Sequence, residues 1–121
     1  MSDEKIFKDC LKTLQPFNDT LDIISGKWRL QVIIAIGAGC NRFNIIQTNI
    51  PKITPKVLSK ELKLLEANKI IRREISTGYP VKINYYLEPY ADTLTPLINA
   101  IRDWGLNHRS KIIKAMKDTG G

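Results

Sequence analysis

The sequence predicts a mainly α-helical protein with one small β-hairpin, which is an α+β fold. Apolar side chains recur at helical spacing through most of the chain, most clearly over residues 54–68. Residues 70–75 and 81–87 instead alternate as strands do, on either side of the turn sequence Thr77-Gly78-Tyr79-Pro80. A chain of 121 residues, 43% of them apolar, has an ordinary size for one domain, so we expect a single domain over residues 1–121.

Residues 42–68 predict two helices joined by a tight turn, which is a helix-turn-helix. The turn is expected at Ile50-Pro51-Lys52-Ile53. Thr54 is a good N-cap for the second helix, and Pro55 is favoured at a first helical position. Because a hairpin follows at residues 70–87, the predicted unit is a winged helix-turn-helix with that hairpin as its wing.

The surplus positive charge is concentrated in the same unit. The whole chain has a net charge of +7 and a pI near 9.5. Residues 52–82 hold eight Lys or Arg and three Asp or Glu, a net charge of +5, whereas residues 1–51 and 83–121 each have a net charge of +1. A field concentrated on one helix and one hairpin is typical of proteins that bind duplex nucleic acid.

The second helix of the unit has a basic face. At 100° per residue its lysines and Ser59 lie within about 100° of one another, and its leucines cover the opposite arc. Such a row is also common as a solvated protein surface, but its place between a helix-turn and a wing favours DNA. On the wing we expect phosphate contacts rather than base reading in the minor groove, and a purely structural role, in which the hairpin only braces the helix, is the other alternative. The predicted DNA-contacting residues are Arg42, Thr54, Lys56, Ser59, Lys60, Lys63, Arg73 and Lys82.

The two ends of the chain predict dimerisation helices, at residues 1–15 and 91–116. Gln15-Pro16 is expected to end the first helix, and Asp19 or Thr20 to begin the next. Both terminal helices carry an apolar stripe without an obvious cover inside the chain, which usually marks an interface. The predicted dimer-interface residues are Ile6, Phe7, Cys10, Leu94, Ile98, Ile101 and Trp104.

Other classes of function find little support in the sequence. No Ser/His/Asp set, glycine-rich phosphate loop or paired carboxylates predict catalysis, so we expect no enzyme, no catalytic residue and no cofactor. The two cysteines and the single His108 have no metal-ligand spacing, so no metal site is expected. The acidic start, Met1-Ser2-Asp3-Glu4, lacks an apolar run, and residues 32–38 are too few to span a bilayer. We therefore expect a cytoplasmic protein without a membrane partner.

Six short sequence motifs, taken in order, resemble those of the HxlR-type winged helix-turn-helix regulators, which are relatives of the MarR regulators. The resemblance covers roughly residues 16–108. The motifs are Ile24-Ser25-Gly26-Lys27-Trp28, Asn41-Arg42-Phe43-Asn44, Ile53-Thr54-Pro55-Lys56-Val57-Leu58, Glu61-Leu62-Lys63-Leu64-Leu65-Glu66, Tyr79-Pro80 with Ile83-Asn84-Tyr85-Tyr86-Leu87, and Trp104-Gly105. The resemblance implies a bacterial homodimeric transcription factor that binds double-stranded DNA. It also implies that residues 54–68 form the recognition helix, and it leaves a small-molecule effector open as a further partner.

The chain departs from the family pattern at three places. Gln15 stands where many members have a sensing cysteine, and Cys10 falls on the apolar stripe, so we expect no thiol-based sensing. Lys69 replaces the usual glycine between recognition helix and wing, and residues 87–91 differ from the common sequence after the wing. The alternative function is a winged-helix module that binds protein or RNA, since one fold can present either surface.

Overall fold

The computed structural model describes the backbone of residues 2–120 and the side chains of residues 3–119. The chain divides into two compact units, Met1–Glu88 and Pro89–Gly121. The single domain expected over residues 1–121 stays a prediction. Within residues 2–120 no helix has the length and apolar character needed to cross a membrane.

The mainly helical fold with one hairpin is confirmed. The first unit contains α1 (Ser2–Lys12), α2 (Gln15–Ile24), α3 (Arg29–Gly37), α4 (Phe43–Asn49), α5 (Pro55–Ala67), β1 (Ile71–Ile75) and β2 (Ile83–Leu87). The second unit contains a short 3-10 helix (Pro89–Leu94) and α6 (Thr95–Gly120).

Helix α3 lies at the centre of the first unit, where it contacts α2, α4, α5 and β2. Its apolar sequence predicts burial nearly all round, yet only one side is buried. Val32 and Ile33 are inaccessible to solvent or nearly so, whereas Ile34 is 48% exposed. At the end of the helix, a Cβ on Gly37 would come within 3.2 Å of Leu87 Cδ1, so glycine there lets β2 pack closely.

Four predicted helix boundaries are wrong. Helix α2 begins at Gln15, because Pro16 lacks only an N–H that the first turn leaves unpaired. Helix α1 ends at Lys12, before the expected end at Gln15-Pro16, so Pro16 does not stop α1 but lies in the first turn of α2, and Asp19 lies inside α2. At the other end, residues 91–94 belong to the 3-10 helix, and α6 continues to Gly120 rather than ending near residue 116.

The hairpin is shorter than its sequence pattern predicts. Strands β1 and β2 pair antiparallel from Ile71 opposite Leu87 to Ile75 opposite Ile83. Beyond them, Ser76 N donates to Lys82 O (2.8 Å) and Lys82 N donates to Ser76 Oγ (2.9 Å). The expected turn sequence thus lies inside a loop that Ser76 and Lys82 close.

Helix α5 ends in a Schellman motif that holds a lysine in the left-handed conformation. Ile70 N donates to Leu65 O (3.0 Å), Lys69 N donates to Glu66 O (3.1 Å), and Lys69 has a φ of 64°. Leu65 and Ile70, which are both buried, form the apolar pair that accompanies this motif. Glycine suits such a position because it has no Cβ, so Lys69 stores backbone strain here.

Replacing Lys69 with glycine should therefore stabilise the protein. The left-handed conformation costs an L-residue roughly 1–2 kcal/mol, and the flexibility of glycine in the unfolded chain offsets part of that gain. We expect Lys69→Gly to raise the free energy of unfolding by about 1 kcal/mol in urea denaturation. The control is Lys63→Gly, within α5, which should lower it by about 0.5–1 kcal/mol. A loss of stability in Lys69→Gly would contradict this assignment of strain.

Candidate nucleic-acid interface

The turn between α4 and α5 sets the direction of α5. Ile46 and Ile50 bury the inner side of this connection, with 0% and 3% exposure. Ile53 N donates to Ile50 O (3.4 Å), Pro51 is the second residue of the turn, and Lys52, the third, has a φ of 70°. Proline followed by a positive φ is the pattern of a type II turn. The turn stands where the sequence predicts it.

Helix α5 has one buried and one exposed face, as its periodicity predicts. Leu58, Leu62 and Leu65 are 0–2% exposed and pack into the first unit. The opposite side forms an open groove along the helix, and its lining consists of Lys56, Ser59, Lys60, Lys63, Leu64 and Ala67. The expectation that every leucine lies opposite the lysines is therefore wrong for Leu64. The three lysines are exposed and Ser59 is half-buried. Among the described side chains, no carboxylate forms an ion pair with any of the three lysines.

Thr54 caps the beginning of α5. Val57 N donates to Thr54 Oγ1 at 3.2 Å, and the extended backbone of Thr54 (φ −88°, ψ 156°) is that of an N-cap. The hydroxyl accepts in this bond, so its own proton stays available for an acceptor outside the protein. The helix N-terminus adds partial positive charge at the same end of α5.

Glu61 faces away from the lysines, into the first unit. Its Oε2 lies 2.9 Å from Arg29 Nε, and the two side chains are only 12% and 23% exposed. Arg29 Nη1 also donates to Asp22 O at 2.7 Å. Sequence reasoning missed this network, although a charged residue between buried leucines was the available signal. Because Glu61 is paired inside, the outer face of α5 is more positive than the helix composition indicates.

The wing offers one free and one engaged arginine. Arg72 Nε donates to Glu74 Oε1 at 2.9 Å, and its guanidinium lies 5.1 Å from the centroid of the Tyr86 ring. The hydrogen bond to Glu74 is the main cause that raises the pKa of Arg72 above its ordinary value. Arg73 is exposed and makes no ion pair with a described side chain. Lys82, at the loop closure, is exposed as well.

Asn41 attaches the wing to the start of α4. Its Nδ2 donates to Tyr85 O at 2.6 Å, and Tyr85 N donates to Asn41 O at 2.7 Å. Arg42 follows as the N-cap residue of α4, exposed and with an extended backbone. These two hydrogen bonds therefore hold β2 next to Arg42, at the beginning of α4. The role of Asn41 also escaped the sequence reasoning, since β2 lies more than forty residues away.

The residues predicted at a dimer interface lie in both units. In α1, Ile6 and Phe7 are 56% and 74% exposed, and Cys10 is half-buried with a free thiol. In the second unit, Ile101 is 38% and Trp104 67% exposed, and Trp104 stacks on His108 with ring centroids 4.8 Å apart. Leu94 and Ile98 are half-buried. Each unit thus carries exposed apolar side chains on a terminal helix.

Comparison with known proteins assigns the family. The model of the HxlR-like helix-turn-helix family matches residues 23–113. The chain belongs to this family.

Similar proteins from the family agree with that assignment. The HTH-type transcriptional regulators YdeP and YybR of Bacillus subtilis are 37% and 32% identical to this chain, over 99 and 105 residues. These alignments cover 82% and 87% of this chain and 77% and 83% of the relatives. The reduced form of the redox regulator HypR superposes with a TM-score of 0.76 and 33% identity, covering 83% of this chain and 99% of that structure.

The predicted fold and class of function are confirmed at this level. A putative transcriptional regulator of the MarR family from Porphyromonas gingivalis also has a similar structure, with a TM-score of 0.67 and 29% identity, covering 76% of this chain and 90% of that structure. The chain is a helix-turn-helix transcriptional regulator, which implies DNA binding, and not an enzyme. Within the described residues, no three His, Cys, Asp or Glu side chains are grouped in a way that could hold a metal ion.

The capping role of Thr54 can be separated from a role in DNA binding. Aspartate caps a helix at least as well as threonine, and its charge suits the helix N-terminus, so Thr54→Asp should keep the free energy of unfolding. The same charge repels phosphate, and we expect affinity for duplex DNA to fall by about tenfold or more. Thr54→Ala should instead cost about 1 kcal/mol of stability, because Val57 N loses its acceptor.

The measurements are urea denaturation and fluorescence-anisotropy titration of a labelled duplex. Thr54→Ser, which keeps the hydroxyl, is the matched control and should resemble the original protein in both. Tight DNA binding by Thr54→Asp would exclude Thr54 from the interface.

Proposed function

We propose that the protein binds a specific double-stranded DNA sequence as a homodimer, with α5 of each subunit in the major groove. The exposed lysine face of α5 is the observation that supports this proposal most strongly. A helix of this diameter fits the major groove of B-DNA, where side chains reach base edges. Lys56, Lys60 and Lys63 have no protein carboxylate to neutralise them among the described side chains, so phosphate is their natural counter-charge.

Each predicted contact residue has a chemical role in this proposal. Lysine is a flexible point charge, so the three lysines bind phosphates and, where they reach the bases, donate hydrogen bonds to O6 and N7 of guanine. Thr54 and Ser59 donate short hydroxyl hydrogen bonds near the start of the helix. Arg42, Arg73 and Lys82 are placed outside α5 and contact flanking phosphates. In this arrangement Arg73 contacts phosphate and Arg72 does not, because Arg72 already forms an ion pair with Glu74.

A second copy of the chain is the partner that the exposed apolar side chains fit. Large apolar side chains are exposed on both terminal helices, namely Ile6, Phe7, Ile101 and Trp104. Exposed apolar patches of this kind usually mark a surface that a partner covers. A two-fold symmetric dimer presents two α5 helices roughly 34–36 Å apart, or a multiple of that distance, and so favours a palindromic site. The alternative, a module for protein or RNA, is not favoured, because the named relatives are transcriptional regulators.

Removing the lysine face should weaken DNA binding in a salt-dependent way. For Lys56→Ala, Lys60→Ala and Lys63→Ala combined, the slope of log affinity against log salt should flatten by roughly 0.9 for each lost phosphate contact. The fold should persist, because all three side chains are exposed. Anisotropy titrations of a mixed-sequence duplex between low and moderate salt measure this slope.

The matched control removes three lysines from α1: Lys5, Lys8 and Lys12. It changes the net charge equally, and its slope should stay that of the original protein. An unchanged slope in the α5 variant, or an equal flattening in both variants, would overturn the placement of α5 on DNA. A duplex RNA of the same sequence tests the alternative, which predicts equal or tighter binding to RNA.

Disrupting the stripe on α6 should separate the subunits. Ile101→Asp places a charge in the centre of the proposed interface, where its desolvation is unfavourable, so we expect a monomer at micromolar concentration in sedimentation equilibrium. Asn99→Asp, on roughly the opposite side of α6, is the control and should remain dimeric. A monomeric original protein, or a dimeric Ile101→Asp, would contradict the proposed interface.

Oxidation should leave DNA binding unchanged, unlike in a regulator that senses thiols. HypR is described as a redox regulator, but here Gln15 stands in the place of the sensing cysteine that the resemblance implies. Cys10 is half-buried and follows the apolar stripe of α1, where a thiol behaves as a small hydrophobe. Anisotropy titrations before and after diamide treatment should give the same affinity for DNA, and the controls Cys10→Ser and Cys40→Ser should give that affinity as well. A loss of binding that a reductant restores, and that Cys10→Ser lacks, would show sensing.

A further inference from the structure

One side chain, Arg29, joins three helices of the first unit. It is the first residue of α3, its Nε binds Glu61 Oε2 on α5 (2.9 Å), and its Nη1 binds Asp22 O on α2 (2.7 Å). Asp22 lies in the last turn of α2, where carbonyl groups lack partners within the helix. Arg29 thus caps the end of α2 and holds the recognition helix with the same guanidinium.

This placement is unfavourable for Arg29 taken alone. A cation in the first turn of a helix opposes the positive end of the helix dipole, and both charged side chains lose most of their water. Partly buried ion pairs of this kind add little net stability compared with apolar residues, and their best-attested use is to select one geometry. The pair is therefore better explained by the arrangement it imposes than by stability.

The chemistry of arginine suits that role. The guanidinium is a rigid plane, so bonds from Nε and Nη1 of one group fix the directions of Glu61 and of the Asp22 carbonyl relative to each other. Lysine would keep the charge but would satisfy one partner at a time. Helix α2 follows α1, which carries Ile6 and Phe7, after a break at residues 13–14, so Arg29 fixes the direction of the helix next to α1 relative to α5.

We propose that Arg29 and Glu61 are positioning residues that set the distance between the two recognition helices of the dimer. This inference rests on the proposed homodimeric DNA binding. The pair does not touch DNA, because Glu61 faces away from the lysine groove. It selects the spacing of the half-sites in the DNA, whereas the lysine face determines the affinity for each half-site.

The test is selection of duplexes from a randomised library, followed by titration of sites whose half-site spacing is changed by one or two base pairs. The original protein should prefer its selected spacing by about tenfold or more, because DNA must be deformed to fit a rigid pair of helices. In Arg29→Lys and in Glu61→Gln this preference should fall to about threefold or less. The selected half-site sequence, the affinity for one half-site and the dimer dissociation constant should not change.

A merely structural role would lower the melting temperature without changing the preferred spacing. Glu66→Gln, an exposed change of the same kind on α5, is the matched control and should keep the original preference. If Arg29→Lys does not fold, Glu61→Gln alone provides the test, because the glutamine amide keeps the shape of the carboxylate. Unaltered spacing preference in folded Glu61→Gln overturns the inference and leaves the proposed function standing. If the original protein selects no paired half-sites, the proposed dimeric reading of DNA falls, and this inference with it.

Discussion

The burial of one side of α5 is the constraint on which the proposed interface depends. Leu58, Leu62 and Leu65 are removed from water almost completely, and each such side chain contributes roughly 1.5–3 kcal/mol of hydrophobic stabilisation. A rotation of the helix that hid its lysines would expose these leucines. The outward direction of the lysine face is therefore a consequence of core packing, and it does not require DNA to be present.

Both ends of α5 are held by local backbone chemistry. Thr54 caps the beginning, and the Schellman motif at Lys69 ends the helix and turns the chain into β1. At the turn and at this motif the backbone adopts a positive φ on a lysine, at Lys52 and Lys69, where glycine would be less strained. Asn41 then ties β2 back to the start of α4. These contacts hold β2 at the start of α4 and fix both ends of α5 within the first unit.

The sequence allowed good prediction of features that depend on neighbouring residues. The 3.6-residue period of the leucines predicted the two faces of α5, and Thr54-Pro55 predicted where the helix begins. The paired strands and the intervening turn followed from their alternation. Gln15-Pro16 was wrongly predicted to end α1, since proline disfavours a helical residue before it but also suits the first turn of a helix, where it lies here. Arg29 with Glu61 and Asn41 with Tyr85 were missed, because nothing in local periodicity reports a partner thirty or forty residues away.

Chemical substitution in the DNA tests most directly whether α5 reads the major groove. In the duplex that the protein selects, 7-deazaguanine removes the N7 acceptor from the major groove, and inosine removes the amino group of guanine from the minor groove. Anisotropy titration should show a loss of affinity of about tenfold for 7-deazaguanine within the half-sites, as one good base contact is worth about 1–3 kcal/mol, and little change for inosine. Unchanged binding to the 7-deazaguanine duplex, together with lost binding to the inosine duplex, would place the protein in the minor groove and contradict the account.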